Sequence, residues 1–249
     1  MKLRRTWEEG RAGLGGWCVL PGSVSAEVMA RSGFDYVCVD CQHGLIGYDA
    51  MVPMLQAIAL GGSTPFVRVP WNRPEEIMKA LDAGAKGVIV PMVNSREEAR
   101  AAVAACRYPP AGIRSWGPVR AAMGVSDFGP DSANADVICV VMVETVEAMD
   151  DLEEIVSTPG VDVVYVGPND LSLTHGMAPS VTVDEEAHLG LVERVLDSCR
   201  RNSVVAGIHC GGAVTARRWS DAGFRFITVD SDYAFIAGAA GQALAKVRG

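Results

Sequence analysis

Two acidic side chains stand where a metal ion could be held between neighbouring elements. Glu144 directly follows the apolar run 138–143, and Asp170 comes shortly after the next such run, 162–166. A divalent cation such as Mg²⁺ or Mn²⁺ binds carboxylates and takes its other ligands from water or substrate oxygens. The alternative is that Thr145 and Asp170 cap helices, where hydroxyls and anions are also preferred. We favour a metal site, because both acids occur together with a candidate base and a candidate cation.

The candidate cation is Arg68, which interrupts the apolar run 65–70. An arginine rarely enters such a run unless its guanidinium has an anionic partner. One interpretation is a structural salt bridge to a carboxylate of the same sheet. The other is bidentate binding of a substrate carboxylate or enolate oxygen, for which the planar guanidinium is suited.

The candidate base is His43, three residues after Asp40 and just beyond an apolar run. A neutral imidazole is the usual side-chain base near pH 7. His175, His188 and His209 are the other histidines. His209 also follows an apolar run and could be a second ligand or base, although a structural role is favoured, whereas His188 is predicted to lie on a helix surface.

The lysines exclude one class of carbonyl chemistry. A Schiff-base aldolase needs a desolvated lysine inside its site, and no lysine follows an apolar run where such a site would form. If the protein acts on a carbonyl substrate, a metal must therefore take up the electrons. The four lysines are Lys2, Lys79, Lys86 and Lys246.

Short apolar runs alternate with helical stretches along the whole chain, which predicts an α/β fold. Nearly continuous apolar runs are typical of parallel strands covered on both faces. Eight strand–helix units predict a single (β/α)8 TIM barrel over residues 1–249, with its chemistry at the carboxyl ends of the strands. A doubly wound sheet is the rival, but its glycine-rich loop is absent. Strands are predicted at about 16–20, 36–40, 65–69, 87–91, 138–143, 162–166, 204–208 and 226–229. Helices are predicted at about 23–32, 49–60, 74–83, 95–106, 146–157, 184–202, 212–222 and 231–247.

The connection 107–137 is the irregular part of this pattern. It is rich in proline and glycine, and residues 112–115 could form a further short strand, which leaves the strand count open. A connection of this length is more often functional or interfacial than idle.

Composition restricts the partners and the compartment. The net charge of −8 disfavours binding to nucleic acid or to an anionic membrane. No apolar run is long enough to span a membrane, and the first residues lack the apolar core of a secretory signal. Seven cysteines, an odd number with several inside apolar runs, indicate buried free thiols, so we expect a cytoplasmic protein.

Several motifs together resemble the metal-dependent (class II) pyruvate aldolases of the 4-hydroxy-2-oxoheptanedioate aldolase family, in the phosphoenolpyruvate/pyruvate superfamily. The tyrosine-diproline stretch and the Gly-Pro-x-Asp-Leu-Ser stretch are the most specific of them, and the resemblance spans roughly residues 15 to 245. The matching stretches are 25–27, 33–35, 39–43, 67–72, 90–93, 107–114, 143–145 and 166–172.

The resemblance implies an aldolase that joins or releases pyruvate and an aldehyde. It implies that His43 is the base, that Arg68 stabilises the enolate or alkoxide, and that Glu144 and Asp170 hold Mg²⁺, Mn²⁺ or Co²⁺. Backbone N–H groups around Gly167 and Asn169, together with the side chain of Trp17, are the implied substrate contacts.

An aspartate that raises the basicity of the histidine is also implied, and its motif falls on Asp82. Our own fold prediction places Asp82 at the opposite rim of the same subunit, so that Asp40 is nearer to His43. Asp82 would then act through a water chain or across a subunit contact. Members of the family are commonly hexamers, trimers of dimers that exchange the last helix, and the apolar stretch 234–240 suits such packing.

Two positions depart from the family pattern, and other functions remain open. Gln42 replaces an acid found in many relatives, and Met142 replaces a glutamine, so the aldehyde partner is undefined. The alternatives are an acyl-CoA ester lyase, which would need a basic groove beyond Arg114 and Arg120, an oxaloacetate decarboxylase, and a non-catalytic barrel that binds an oxo acid.

Overall fold

The computed structural model describes residues 2–249, and its centre is a set of eight parallel strands. Each strand is short, apolar and rich in β-branched residues, as strands buried on both faces are. The strands are β1 (Gly13–Cys18), β2 (Tyr36–Asp40), β3 (Thr64–Arg68), β4 (Gly87–Val90), β5 (Ile138–Val143), β6 (Val163–Val166), β7 (Val205–His209) and β8 (Phe226–Ser231).

The strands close into a barrel in chain order, because β8 pairs with β1 as well as with β7. The predicted (β/α)8 barrel is confirmed, and the doubly wound alternative is wrong. The further strand considered at 112–115 does not form, so the count of eight stands.

Helices surround the barrel and connect the strands. They are α1 (Lys2–Glu8), α2 (Ser23–Arg31), α3 (Tyr48–Gly61), α4 (Pro74–Asp82), α5 (Arg96–Cys106), α6 (Pro130–Asp136), α7 (Val146–Asp150), α8 (Leu152–Val156), α9 (Pro168–Thr174), α10 (Glu186–Asn202), α11 (Ala213–Ala222) and α12 (Asp232–Arg248). Three of these, α1, α6 and α9, were not predicted, and the helix predicted at 146–157 is divided at Asp151.

The barrel interior is filled by large side chains, so it is a packed core and not a pore. The rings of Tyr36 and Phe226 stack with centroids 4.1 Å apart in its middle. Helix α1 closes the amino-terminal end, where Leu3 is fully buried and the Trp7 indole N–H donates to the Arg225 carbonyl at 2.8 Å. Only the opposite end, at the carboxyl ends of the strands, is left open for chemistry.

A second apolar layer lies between the strands and the helices, as in other barrels of this type. Helix α12 differs from the other long helices, because Asp232 is its only buried residue. A helix that packed along the barrel would bury a continuous stripe of its surface. Among the helices within residues 2–249, none is long and apolar enough to cross a membrane.

Candidate active site

Six of the predicted site residues line a cavity of about 110 Å³ at the carboxyl ends of the strands, whereas Trp17, Asp40 and Asp82 do not. Strands β2, β3, β5, β6 and β7 each contribute to it, either from their last residues or from the loops that follow. Its lining is formed by His43, Arg68, Met142, Glu144, Gly167, Pro168, Asn169, Asp170 and His209.

Glu144 is a buried acid held at the cavity wall by the main chain. Its Oε1 accepts a hydrogen bond of 2.8 Å from the backbone N–H of Met92, and its side chain is almost fully buried. Burial, together with the nearby negative charge of Asp170, raises the pKa of Glu144 to about 7. Met92 adopts a left-handed backbone conformation (φ 54°), which is strained for this residue type and places the N–H against the carboxylate.

The helix-end alternative holds for Thr145 and stays open for Asp170, whereas Glu144 lies outside any helix. Thr145 Oγ1 accepts from the backbone N–H of Ala148 at 3.0 Å and so caps α7. Glu144 is thereby left to face the cavity. Asp170 lies in the first turn of α9, half-buried, on the same cavity.

Gly167 keeps the space beside Glu144 open. A Cβ atom at position 167 would stand 2.1 Å from Glu144 Oε2 and 3.0 Å from Met142 Cε. No side chain larger than hydrogen therefore fits without displacing the carboxylate. The close approach of β6 to Glu144 depends on this glycine.

Arg68 forms a bidentate salt bridge with Asp40 from the neighbouring strand. Arg68 Nε donates to Asp40 Oδ1 at 2.9 Å, and Nη2 donates to Oδ2 at 2.6 Å. Burial alone would raise the pKa of Asp40, but the hydrogen bonds and charge of Arg68 outweigh it and lower that pKa. Arg68 Nη1 has no protein partner within residues 2–249, so this nitrogen remains available to a ligand in the cavity.

His43 lies at the rim of the cavity, with its side chain exposed. Its backbone N–H donates to Asp40 Oδ1 at 3.3 Å, and its imidazole hydrogen-bonds to no protein group in the described chain. Asp40 is thus bound to Arg68 and to the main chain, and not to the imidazole of His43.

A second histidine borders the cavity from β7. His209 Nδ1 lies 3.2 Å from the Tyr165 hydroxyl, and its ring meets Trp17 edge-on with centroids 5.0 Å apart. Trp17 in turn lies under the guanidinium of Arg68, whose Cζ is 5.1 Å from the indole centroid. Burial, reinforced by the positive charge of Arg68, lowers the pKa of His209 to about 4, so its ring is neutral near pH 7.

Asp82 is not brought to this cavity. It ends α4, before β4 begins, and therefore lies at the opposite rim. Its Oδ1 accepts a hydrogen bond of 2.6 Å from Arg114 Nη2, and the Arg114 guanidinium covers the ring of Tyr108. The tyrosine-diproline stretch thus packs against Asp82 and not against the other site residues.

Sequence reasoning missed two parts of the site and misplaced one histidine. Nothing in the residue types signals the conformation of Met92 or the packing role of Gly167, since both depend on how neighbouring strands approach. His188, predicted at the surface, is 1% exposed. The prediction was wrong because one face of the long helix α10 packs against the barrel.

The comparisons with known proteins agree over almost the whole chain. The model of the HpcH/HpaI aldolase/citrate lyase family matches residues 15–236. Hydroxypyruvate/pyruvate aldolase from Rhizorhabdus wittichii is 42% identical over 247 residues, which cover 99% of this chain and 98% of that protein. 4-Hydroxy-2-oxo-heptane-1,7-dioate aldolase from Escherichia coli is 38% identical over 239 residues, 95% of this chain and 90% of that protein.

A solved structure shows the same fold. The HpcH/HpaI aldolase/citrate lyase family protein from Burkholderia cenocepacia superimposes with a TM-score of 0.93 at 33% identity, covering 100% of this chain and 99% of that one. The chain is therefore a carbon–carbon lyase that belongs to the HpcH/HpaI aldolase/citrate lyase family, as its motifs predict.

Proposed function

We propose that the protein is a divalent-metal-dependent aldolase that cleaves 4-hydroxy-2-oxo acids to pyruvate and an aldehyde, and catalyses the reverse reaction. The observation that carries the proposal is that Glu144 and Asp170 share one cavity with Arg68 and His43. The aldolase names of relatives that match almost the whole chain support the same reaction.

The donor set of the cavity fits a divalent cation. Glu144 is buried with only one backbone hydrogen bond to its carboxylate, and the charge of Asp170 opposes its ionisation. A cation between them would relieve that repulsion. Within the described residues, no three acidic, histidine or cysteine side chains are placed so that together they could hold a metal ion, so water and substrate oxygens would complete the coordination. Mg²⁺, Mn²⁺ and Co²⁺ are all compatible with this set.

When bound, the cation would act as a Lewis acid that makes the carbonyl of the oxo acid a better electron acceptor. The chain supplies the other groups. Arg68, oriented by Asp40, would hold its free Nη1 toward the oxygen that gains negative charge. The exposed imidazole of His43 would take the proton from the aldol hydroxyl during cleavage, or from C3 of pyruvate during synthesis.

The remaining contacts would orient the substrate. Gly167 and Asn169 lie at the start of α9, where backbone N–H groups without helical partners can bind a carboxylate. Trp17 is 1% exposed and lies beneath the Arg68 guanidinium, so its predicted effect on the substrate would be exerted through the position of Arg68. The methionine at position 142 adds no polar contact, which leaves the aldehyde undefined.

Asp82 would act in the site of another subunit. Its own barrel interior is packed with apolar side chains, so a water chain through the barrel is disfavoured. Every residue of α12 from Phe235 onward is exposed, which supports exchange of this helix between copies of the chain and a hexamer built as a trimer of dimers. In such an assembly Asp82 could approach the His43 of a neighbour.

The test is release of pyruvate from a 4-hydroxy-2-oxo acid, measured with lactate dehydrogenase in the presence of Mn²⁺, Mg²⁺ or EDTA. We expect activity with metal and none in EDTA. D170A should abolish turnover and also the rise in melting temperature caused by Mn²⁺. The control is E147Q, which changes an exposed acid on α7 and should retain both. Pyruvate release by D170A in EDTA would refute the metal site, and inactivity of the wild type would favour a non-catalytic barrel.

The other enzymatic alternatives are less well supported. An acyl-CoA lyase would need basic residues near the cavity, but Arg114 pairs with Asp82, and Arg120 donates to the Ala83 carbonyl at 2.8 Å. Both arginines therefore lie at the opposite rim. Decarboxylation of oxaloacetate requires the same enolate site and would be a side activity.

A cytoplasmic location is proposed on the state of the cysteines. All seven are free thiols, and six of them are buried. Free cysteines of this kind are typical of proteins in a reducing compartment.

A further inference from the structure

His209 is the titratable side chain of the cavity to which the proposed reaction assigns no role. It stands at the end of β7, partly buried, and lines the cavity together with Arg68 and Asp170. A histidine that only filled space could have been replaced by any flat apolar side chain. The hydrogen bonds of the His209 imidazole therefore indicate whether the ring offers a donor or an acceptor to the cavity.

The network beneath His209 fixes which ring nitrogen carries the proton. The Tyr165 hydroxyl donates its only proton to Thr228 Oγ1 at 2.7 Å, so it can only accept from His209 Nδ1, 3.2 Å away. Both Tyr165 and Thr228 are fully buried, which holds this arrangement in place. In a neutral imidazole with a proton on Nδ1, Nε2 is a hydrogen-bond acceptor.

Nε2 has no protein partner within residues 2–249. Because Nδ1 is directed into the barrel toward Tyr165, the opposite edge of the ring is the edge that borders the cavity. The cavity thus presents an acceptor on this side, whereas Arg68 presents a donor nearby.

An oxo acid matches these two groups only if it carries a hydroxyl. Its carboxylate and carbonyl oxygens accept hydrogen bonds, so they suit Arg68 and a cation and cannot bind an acceptor. With Arg68 holding the carbonyl oxygen, as the proposed function has it, His209 would lie beside the carbonyl end of the substrate, because the Trp17 ring contacts both His209 and Arg68. The carbonyl carbon is bonded to C1, which is the carboxylate and offers only acceptors, and to C3, so the matching group is a hydroxyl on C3.

We infer that His209 determines the preference for the oxo-acid substrate, accepting through Nε2 a hydrogen bond from the C3 hydroxyl of a 3-hydroxy-2-oxo acid, of which hydroxypyruvate is the smallest. The inference rests on the proposed aldolase function and specifies its substrate class. Pyruvate, which lacks this hydroxyl, would bind in the same position and leave Nε2 without a partner.

The experiment compares hydroxypyruvate with pyruvate in aldol synthesis by the Mn²⁺-supplied enzyme, using glycolaldehyde as the common acceptor and chromatographic detection of each product. The quantity measured is the ratio of kcat/KM for hydroxypyruvate to kcat/KM for pyruvate. H209F keeps a flat ring but removes the acceptor, and should lower this ratio roughly 10- to 100-fold, the scale of a lost buried hydrogen bond. H209Q, which returns a side-chain oxygen, should recover part of the ratio.

Y165F is the second variant, because it removes the hydroxyl that fixes the tautomer without touching the substrate. It should lower the ratio in the same direction and by less than H209F. If H209F does not fold, H209L takes its place. An unchanged ratio in the variants that lack the acceptor, or equal losses for both substrates, would overturn the inference. A wild-type enzyme that makes neither product would instead refute the proposed aldolase function.

Discussion

Arg68 and Asp40 pair directly across the β2–β3 register, and their side chains form a two-point salt bridge of which Arg68 lines the cavity. The structural and the functional interpretation of Arg68 are therefore compatible. Two of its nitrogens are held by Asp40, and the third, Nη1, has no protein partner within residues 2–249. The pair orients the guanidinium before any ligand binds, which is a requirement for strong electrostatic stabilisation of a transition state.

Replacing Arg68 tests its part in the reaction. R68A should lower kcat/KM for aldol cleavage on the order of 10²–10³-fold, the usual scale for losing a group that stabilises an oxyanion. R68K should recover only a small part, because an ammonium group cannot form the two-point bond to Asp40. The control is R217A, which removes an exposed arginine paired with Asp221 on α11. Near-normal turnover by R68A would show that the guanidinium does not contact the reacting oxygen.

Replacing Asp40 tests the Arg68–Asp40 salt bridge through its contribution to the free energy of unfolding. D40N leaves Arg68, whose side chain is 12% exposed, without a charged partner, and should cost about 3 kcal/mol at pH 7. The pKa of Asp40 is below its usual 3.8, so its contribution is complete above that pH and is lost as pH falls through the folded pKa. The difference between wild type and D40N in urea unfolding should therefore narrow below about pH 4.

A matched control for D40N is D184N, which changes an acid paired with Arg218 at the surface. Exposed pairs of this kind contribute about 1 kcal/mol or less. Protein concentration must be kept constant, since assembly would contribute to apparent stability. A D40N penalty that is equal at pH 7 and pH 3 would contradict the assignment of a low pKa to Asp40.

The barrel itself could be predicted because its strands are continuous apolar runs, and seven of the eight were placed within two residues of their observed ends. The exception is the first strand, which was predicted at 16–20 and is observed as Gly13–Cys18. Its first four residues include three glycines, so they do not form the apolar run that marks the other strands. Helix α9 was missed because its seven residues, including proline and asparagine, carry too short a pattern.

The positions of Glu144 and Asp170 could be predicted because both acids follow strands, but the groups that surround them could not be predicted from the sequence. The bond from Met92 to Glu144 requires a left-handed backbone that methionine rarely adopts. The network of His209 joins residues from β6, β7 and β8, whose side chains could be aligned only once the strand register was known. Contacts of this kind, between residues far apart in the sequence, cannot be predicted from local sequence patterns.

Gly167 offers a test of the metal site that replaces neither of the two proposed ligand residues. G167A would place a Cβ 2.1 Å from Glu144 Oε2, so the carboxylate must move. We expect Mn²⁺ affinity, measured by calorimetry, to fall roughly 10- to 100-fold, as when groups that orient metal ligands are removed. The matched control is G190A on the exposed side of α10, where an added Cβ meets nothing within 4 Å. It should bind Mn²⁺ normally, and equal affinities in both variants would show that Glu144 is not a ligand.

Mixing inactive subunits tests whether Asp82 acts across a subunit contact. H43A removes the base, and D82N removes an acid that lies at the opposite rim of its own barrel. Each variant alone should be nearly inactive. If each site takes His43 from one copy and Asp82 from another, co-refolded mixtures will contain sites with both groups and will regain activity. If Asp82 acts only within its own subunit, the mixture will stay as inactive as its components.

I236E tests whether that recovery depends on assembly through α12. This substitution on the exposed face of α12 should lower the assembly mass in light scattering and also prevent the recovery of activity, because shared sites cannot form without assembly. The control for that substitution is V214E, which introduces the same charge at an exposed valine on α11 and should leave mass and recovery unchanged.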